Sequence, residues 1–311
     1  MLSKELVHVS VLKKEILDSL IMPETKTVFD GTLGLGGHAE LILSQFPQID
    51  CYIGVDLDLQ HLNFAQKRLN RWEEKTVFFN KNFSEIISII EEVSPSRPMA
   101  ILLDLGLCSN QIDDENKGFS FRTDGPLDMS FGIENKGACK KLIDEAPGRE
   151  LCRIFREYGE EPFSYRLSNK IVEAREHKSI NTTGDLRDII SDSVSQKDLR
   201  KTLMRVFQGL RITTNDELGH LEKVLKGALS VMKLGDRLGI MSFHSLEDRM
   251  VKKFFKTHSK PLTKESTFSL HEVVSPANLK LLTKRPIVPD QSEIEENPRS
   301  RSVKFRIAEK I

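Results

Sequence analysis

Residues 25–38 read Thr25-Lys-Thr-Val-Phe-Asp30-Gly-Thr-Leu-Gly34-Leu-Gly36-Gly37-His38. A short apolar run ends in an acid, glycines cluster behind it, and the spacing from His38 to Phe46 predicts a helix. A strand, a glycine turn and a helix in that order form the opening unit of an α/β sheet. The pattern repeats outward from there. Cys51-Tyr-Ile-Gly-Val-Asp56 reads as a second buried strand, and Asp58 can cap a helix whose Leu59, Leu62, Ala65 and Leu69 share one face. Thr76-Val-Phe-Phe79 reads as a third strand. Ser84 is the expected cap of a helix carrying Ile86, Ile87, Ile89, Ile90 and Val93, with Pro95 and Pro98 after it. Met99-Ala-Ile-Leu-Leu-Asp104 is a fourth strand, again ending in an acid. Such alternation means parallel strands joined by crossover helices.

The pattern changes beyond residue 112. Residues 113–137 are rich in glycine, proline and charge and read as a structured loop, whereas 144–212 hold only helical spacings. Leu151, Ile154, Phe155 and Tyr158 fall on one helix face, and Leu199, Leu203, Phe207 and Leu210 on another. The expected organisation is a sheet domain of residues 1–112 and 214–311, interrupted by a helical subdomain at 113–213. Thr214 and Glu217 are placed to form a capping box for the helix that follows. Arg237–Phe243 and Ser302–Ala308 read as further strands, and 257–300 as long loops with little helix.

Composition excludes several classes. In 311 residues, 39% hydrophobic and 30% charged, there is ample material for a core and none of the bias of a disordered chain. No apolar run is long enough for a membrane span, and residues 1–14 lack the apolar stretch of a signal peptide. Cys51, Cys108, Cys139 and Cys152 lie far apart with no C-x-x-C pair. Neither a metal site built on paired cysteines nor a disulfide framework is expected, and a reduced cytoplasm fits. Charge is balanced at 46 Lys and Arg against 46 Asp and Glu, but unevenly spread. Residues 252–306 carry 12 basic against 6 acidic side chains, and 166–211 carry 10 against 6. Flanking a pocket, two such segments suit a rim that contacts phosphates.

The glycine turn is the first candidate for a ligand. Glycines allow a tight turn and close backbone approach, and a helix start offers free N–H groups. Asp56 ends the second strand 20 residues beyond Gly36, where a carboxylate can accept both hydroxyls of an adenosine ribose. The spacing is not the G-x-G-x-x-G of dinucleotide folds. An acid at Asp30 would repel a pyrophosphate. Three strand-end acids, Asp30, Asp56 and Asp104, better complement S-adenosylmethionine, which carries a sulfonium and an ammonium and no phosphate.

Beyond Asp104 the chain runs Asp104-Leu-Gly-Leu-Cys-Ser-Asn-Gln111-Ile-Asp113-Asp114, then Lys117-Gly118-Phe-Ser-Phe-Arg-Thr-Asp-Gly125-Pro-Leu-Asp-Met129. This resembles the RsmH (MraW) family of bacterial S-adenosylmethionine-dependent methyltransferases. Further blocks follow in the family's order. They are His8-Val-Ser-Val-Leu at the start, then Ile171-Val-Glu-Ala-Arg, Phe207-Gln-Gly-Leu-Arg-Ile, Asn215-Asp-Glu-Leu, Ser242-Phe-His-Ser-Leu-Glu-Asp-Arg249 and Asn297-Pro-Arg-Ser-Arg-Ser302. The resemblance implies a class I methyltransferase (Rossmann-like) sheet with an inserted helical subdomain. It implies methylation of the exocyclic N4 of a cytidine in the decoding region of 16S rRNA, within the small subunit or a late assembly intermediate. By motif it assigns the cofactor to Gly36, Gly37, His38, Asp56, Phe83, Asp104 and Gln111. Read alone, Phe83 is a core aromatic at a helix start, but its place just after the third strand suits packing on the adenine instead. Cys108 and Asn110 depart from the family's usual Ser and Pro.

Cytidine N4 is a weak nucleophile, because its lone pair is conjugated with the ring. An acceptor beside it would hold its N–H as the new bond forms. Asp104 is the candidate catalytic residue, although a role confined to the cofactor remains open. His244 reads as a base or as the cap of the Ser245-Leu-Glu-Asp turn. The target base must leave its stack to reach the sulfonium. Two other classes share the sheet, a nicotinamide-dependent dehydrogenase and a non-catalytic RNA-binding assembly factor. The first lacks its glycine spacing, and the second has no use for three strand-end acids.

Overall fold

The computed structural model describes residues 10–107, 111–112, 114–265 and 271–311. The opening motif at His8 and the departures at Cys108 and Asn110 fall wholly or partly outside them. The chain divides into two compact units, Met1–Gly106 with Gly219–Ile311, and Leu107–Leu218.

The first unit is built on a seven-stranded sheet. Its strands are β1 (Thr27–Asp30), β2 (Cys51–Val55), β3 (Thr76–Phe79), β4 (Met99–Asp104), β5 (Arg237–Ser242), β8 (Leu279–Leu281) and β9 (Lys304–Lys310). They lie in the order β3-β2-β1-β4-β5-β9-β8. β1 to β5 are mutually parallel, and β9 runs antiparallel to β5 and β8. Side chains alternate across the pleat, so neighbours in one strand enter opposite cores. Val28, Ala100, Leu102, Phe305 and Ile307 join one apolar layer with Ile42 and Leu62. Phe29, Ile101, Leu103 and Ile240 join the other with Ile86, Leu225 and Val251. Burial on both faces explains why these strands read as continuous apolar runs.

Three local expectations change. Asn82, not Ser84, caps the turn Phe83–Glu85, with Glu85 closing the capping box. Asn82 can do so because its own backbone is still extended, while Ser84 already lies inside the turn. Thr214 caps nothing. The helix Gln196–Asn215 runs through it, and Asp216 turns in the left-handed region (φ 46°) before Glu217–Val231 begins. Residues 257–300 are more regular than loops, with a hairpin of β6 (Leu262–Glu265) and β7 (His271–Ser275), strand β8 and the helix Gln291–Glu296. β8 is too short to announce itself and owes its place to pairing with β9.

The second unit is a cluster of helices, Ala138–Glu145, Gly148–Glu157, Ser164–His177, Thr183–Ser191 and Gln196–Asn215. Leu151, Ile154, Phe155, Leu203, Phe207 and Leu210 share its core as their spacing required, and Tyr158 packs at the edge. Residues 114–137 form a loop pinned by an isolated bridge between Pro126 and Thr182.

Candidate active site

Strand order reverses between β1 and β4, whose neighbours lie on opposite sides. In open α/β sheets the crevice outside the strand ends at this switch point receives the ligand. Asp30 closes β1 and Asp104 closes β4, so both carboxylates are delivered there.

The glycine turn fills the space behind β1. Gly34 (φ 53°) and Gly36 (φ 77°) adopt the left-handed conformation that disfavours side chains. A Cβ on Gly34 would meet only the Thr32 carbonyl oxygen, at 3.9 Å, so this bend faces open space. A Cβ on Gly37 would instead lie 2.2 Å from Ser10 Oγ. That glycine lets the helix Gly37–Gln45 start close against the N-terminal segment.

Asp56 follows β2, and its carboxylate organises the turn. Its Oδ2 accepts the Gly34 N–H at 2.7 Å, and its Oδ1 the Asp58 N–H at 2.8 Å. Asp58 caps the next helix through the Gln60 N–H, as expected. Burial pushes the Asp56 carboxyl upward, against the pull of His61 and the two N–H donors. A carboxylate offers about four acceptor sites, so Asp56 can still accept two hydroxyls. Holding the loop is a role the sequence did not reveal.

His38, Asp30 and Asp104 form a buried group. The Asp104 N–H donates to Thr32 Oγ1 at 2.6 Å, and Asp104 Oδ2 lies 3.4 Å from His38 Nε2. Asp104 Oδ1 and both His38 ring nitrogens are buried without a hydrogen-bond partner among the described residues. Asp30 differs from its expected role. Its oxygens accept the Tyr52 hydroxyl at 2.8 Å and the Thr32 N–H at 3.1 Å, and the residue is 1% exposed. Its oxygens are spent on Tyr52 and Thr32 rather than offered to a ligand. Burial pushes its carboxyl up to about 6, although His38, Tyr52 and Thr32 pull the other way.

Phe83 sits in the turn after β3, partly buried against the second apolar layer. Its ring meets His220 edge-on at 6.4 Å, and His220 Nδ1 lies 3.1 Å from Ser84 Oγ. No motif pointed to His220. Gln111 is buried and belongs to the second unit. His244 is a helix cap, its Nδ1 accepting the Glu247 N–H while Glu247 Oε2 takes those of Phe243 and His244.

An orphaned carboxylate oxygen, a second carboxylate with acceptor sites left over and an open glycine bend fit a ligand cationic at one end and bearing a ribose diol at the other. S-adenosylmethionine has both. Sheet order and site together define a class I S-adenosylmethionine-dependent methyltransferase. The chain belongs to the MraW methylase family, whose profile matches residues 5–311. It is 39% identical over 310 residues to the ribosomal RNA small subunit methyltransferase H of Carboxydothermus hydrogenoformans, covering 99% of each chain. To the protein of that name from Clostridium botulinum (strain Loch Maree) it is 38% identical over 309 residues, covering 99% of this chain and all of the other. Among solved structures it is similar to an rRNA methylase from Streptococcus thermophilus, at 11% identity and a TM-score of 0.37, over 96% and 93% of the two chains. Family membership leaves the dehydrogenase and the non-catalytic module without support. No helix among the described residues is long and apolar enough to cross a membrane.

Proposed function

We propose that this enzyme methylates N4 of a cytidine in the decoding region of 16S rRNA, in the cytoplasm, on the small subunit or a late assembly intermediate. Its family and the names of its full-length relatives support the RNA substrate. The observation that carries the chemistry is Asp104 Oδ1, a buried acceptor without a partner among the described residues, at the strand switch point.

When bound, S-adenosylmethionine supplies an electrophilic methyl group on a sulfonium. Gly36, Gly37, His38, Asp56, Phe83, Asp104 and Gln111 hold it in this reading. Asp56 accepts the ribose hydroxyls, Phe83 packs on the adenine, and the glycine turn lets the backbone approach. Asp104 Oδ1 accepts an N–H of the cytidine amino group, which orients the nitrogen for in-line attack and favours the developing positive charge. His38 Nε2 lies 3.4 Å from the other carboxylate oxygen. Basic side chains of 166–211 and of 252–306 contact RNA phosphates, and the target cytidine swings out of its stack. Mass spectrometry of 16S rRNA from a deletion strain, with and without the gene restored, tests this. We expect one cytidine to lose an N4 methyl group and regain it on complementation. An unchanged methylation pattern would refute the assignment.

A further inference from the structure

The helical unit presents aromatic and basic side chains that its core does not use. Tyr165 is 73% exposed, Phe163 38% and Met204 54%, although scattered exposed apolar residues are ordinary in themselves. What sets this group apart is how rigidly it is held. Glu161 is 1% exposed, and its Oε1 accepts the Phe163 N–H at 2.9 Å. Its Oε2 lies 3.7 Å from Arg205 Nη1, which ties the turn before Phe163 to the helix Gln196–Asn215. Gln208 Nε2 donates to the Tyr158 carbonyl at 2.9 Å, and a Cβ on Gly159 would lie 2.5 Å from the Arg205 carbonyl oxygen. The turn is thus locked against that helix at three points.

The helix tied to this turn carries further basic side chains. Arg200 with Met204, and Lys201 with Arg205, are neighbours four positions apart along their helix, and Arg166 follows Tyr165. Arg166, Arg200 and Lys201 make no ion pair among the described residues. Exposed aromatic side chains on a fixed turn, with cations that make no ion pair among the described residues, match the chemistry of single-stranded nucleic acid, whose bases stack while its phosphates need neutralising. Both charge and ring faces are left wanting here, which favours RNA over a protein partner.

We propose that Phe163 and Tyr165, with Arg166 and Lys201, form a stacking platform for unpaired bases of the RNA substrate. This rests on the reading of the enzyme as an rRNA methyltransferase. The probe is a fluorescein-labelled single-stranded RNA of mixed sequence, titrated with the full chain and followed by anisotropy at several salt concentrations. Tyr165→Ala should weaken binding roughly 5- to 100-fold without changing the salt slope, because a stacked ring releases no counterions. Tyr165→Phe should bind about as tightly as wild type. Arg166→Ala should lower the slope by about one. S-adenosylmethionine affinity, measured by calorimetry, should stay the same in all three. Wild-type RNA affinity in Tyr165→Ala would overturn the platform, as would a change in sedimentation without a change in RNA binding. If that happens while wild type still methylates 16S rRNA, only the platform fails. Loss of the methylation assignment alone would leave the anisotropy result standing as its own test.

Discussion

Asp104 and Asp56 are both strand-end acids, yet their surroundings ask different things of them. Asp104 keeps one oxygen without a partner among the described residues, whereas Asp56 spends two acceptor sites on the backbone of its own loop. If Asp104 holds the amino group in the transition state, Asp104→Asn should lower kcat and kcat/KM for RNA together. The expected loss is about 100- to 1000-fold, as for other preorganised electrostatic groups. Single-turnover methylation at saturating S-adenosylmethionine checks it, since full recovery there would assign Asp104 to the cofactor alone. Asp56→Ala should weaken S-adenosylmethionine by roughly 1.5–3 kcal/mol, the range for hydrogen bonds to a charged group. Calorimetry reads the affinity. Thermal melting of the same variant shows how much of the loss comes from freeing Gly34.

At the scale of elements, the ends of β1, β2 and β4 are coupled through side chains. Tyr52 from β2 donates to Asp30 of β1, and Thr32 links Asp30 to the backbone of Asp104. Because burial raises Asp30 to about 6, the folded state prefers its neutral form. Its contribution to stability is therefore complete below the ordinary carboxylate range near pH 4, and is lost as the pH rises through about 6. The difference is on the order of 3 kcal/mol. Urea unfolding between pH 4 and 7 should show this decline in wild type, after the opposing effect of other acids, and a flatter profile in Asp30→Asn. Equal profiles would mean that Asp30 titrates alike in the folded and unfolded chain. Asp248 works in the opposite sense, since Arg306 and Lys304 hold its carboxyl below the usual range despite burial.

For the whole molecule, formal charge misleads in both directions. The net is zero, and several basic side chains in the two positive segments are spent inside the fold. Arg306 and Lys304 bind Asp248, Arg211 binds Glu217, and Arg175 donates to the Ile143 carbonyl. Arg166, Lys197, Arg200 and Lys201 remain exposed. Methylation should therefore fall steeply with salt as these side chains release counterions from phosphates. Reversing Arg200 and Lys201 to Glu should raise KM for RNA far more than it changes S-adenosylmethionine affinity. Steady-state assays at low and high salt decide it, and equal activity at both would rule out a phosphate-contacting rim.

Local chemistry alone settled the parallel half of the sheet. Each of β1 to β4 is a short apolar run closed by a polar turn, and the helices between them have clear apolar faces, so neighbours in sequence suffice. The glycine turn and the three acids were legible for the same reason. Contacts between distant segments decided the rest. β8 exists because β9 gives its backbone partners, and Asn82 displaces Ser84 as a cap because backbone geometry, not residue type, chooses the position. Tyr52 reads as an ordinary strand aromatic, yet only the pairing of β1 with β2 brings its hydroxyl to Asp30 and removes that acid from the ligand's reach. Glu161 and Arg205 lie far apart in sequence and meet only when the helices pack. Patterns repeat every two or four residues and can be read along the chain. Charge pairing and burial belong to side chains brought together by folding, and these determine which acids remain available for chemistry.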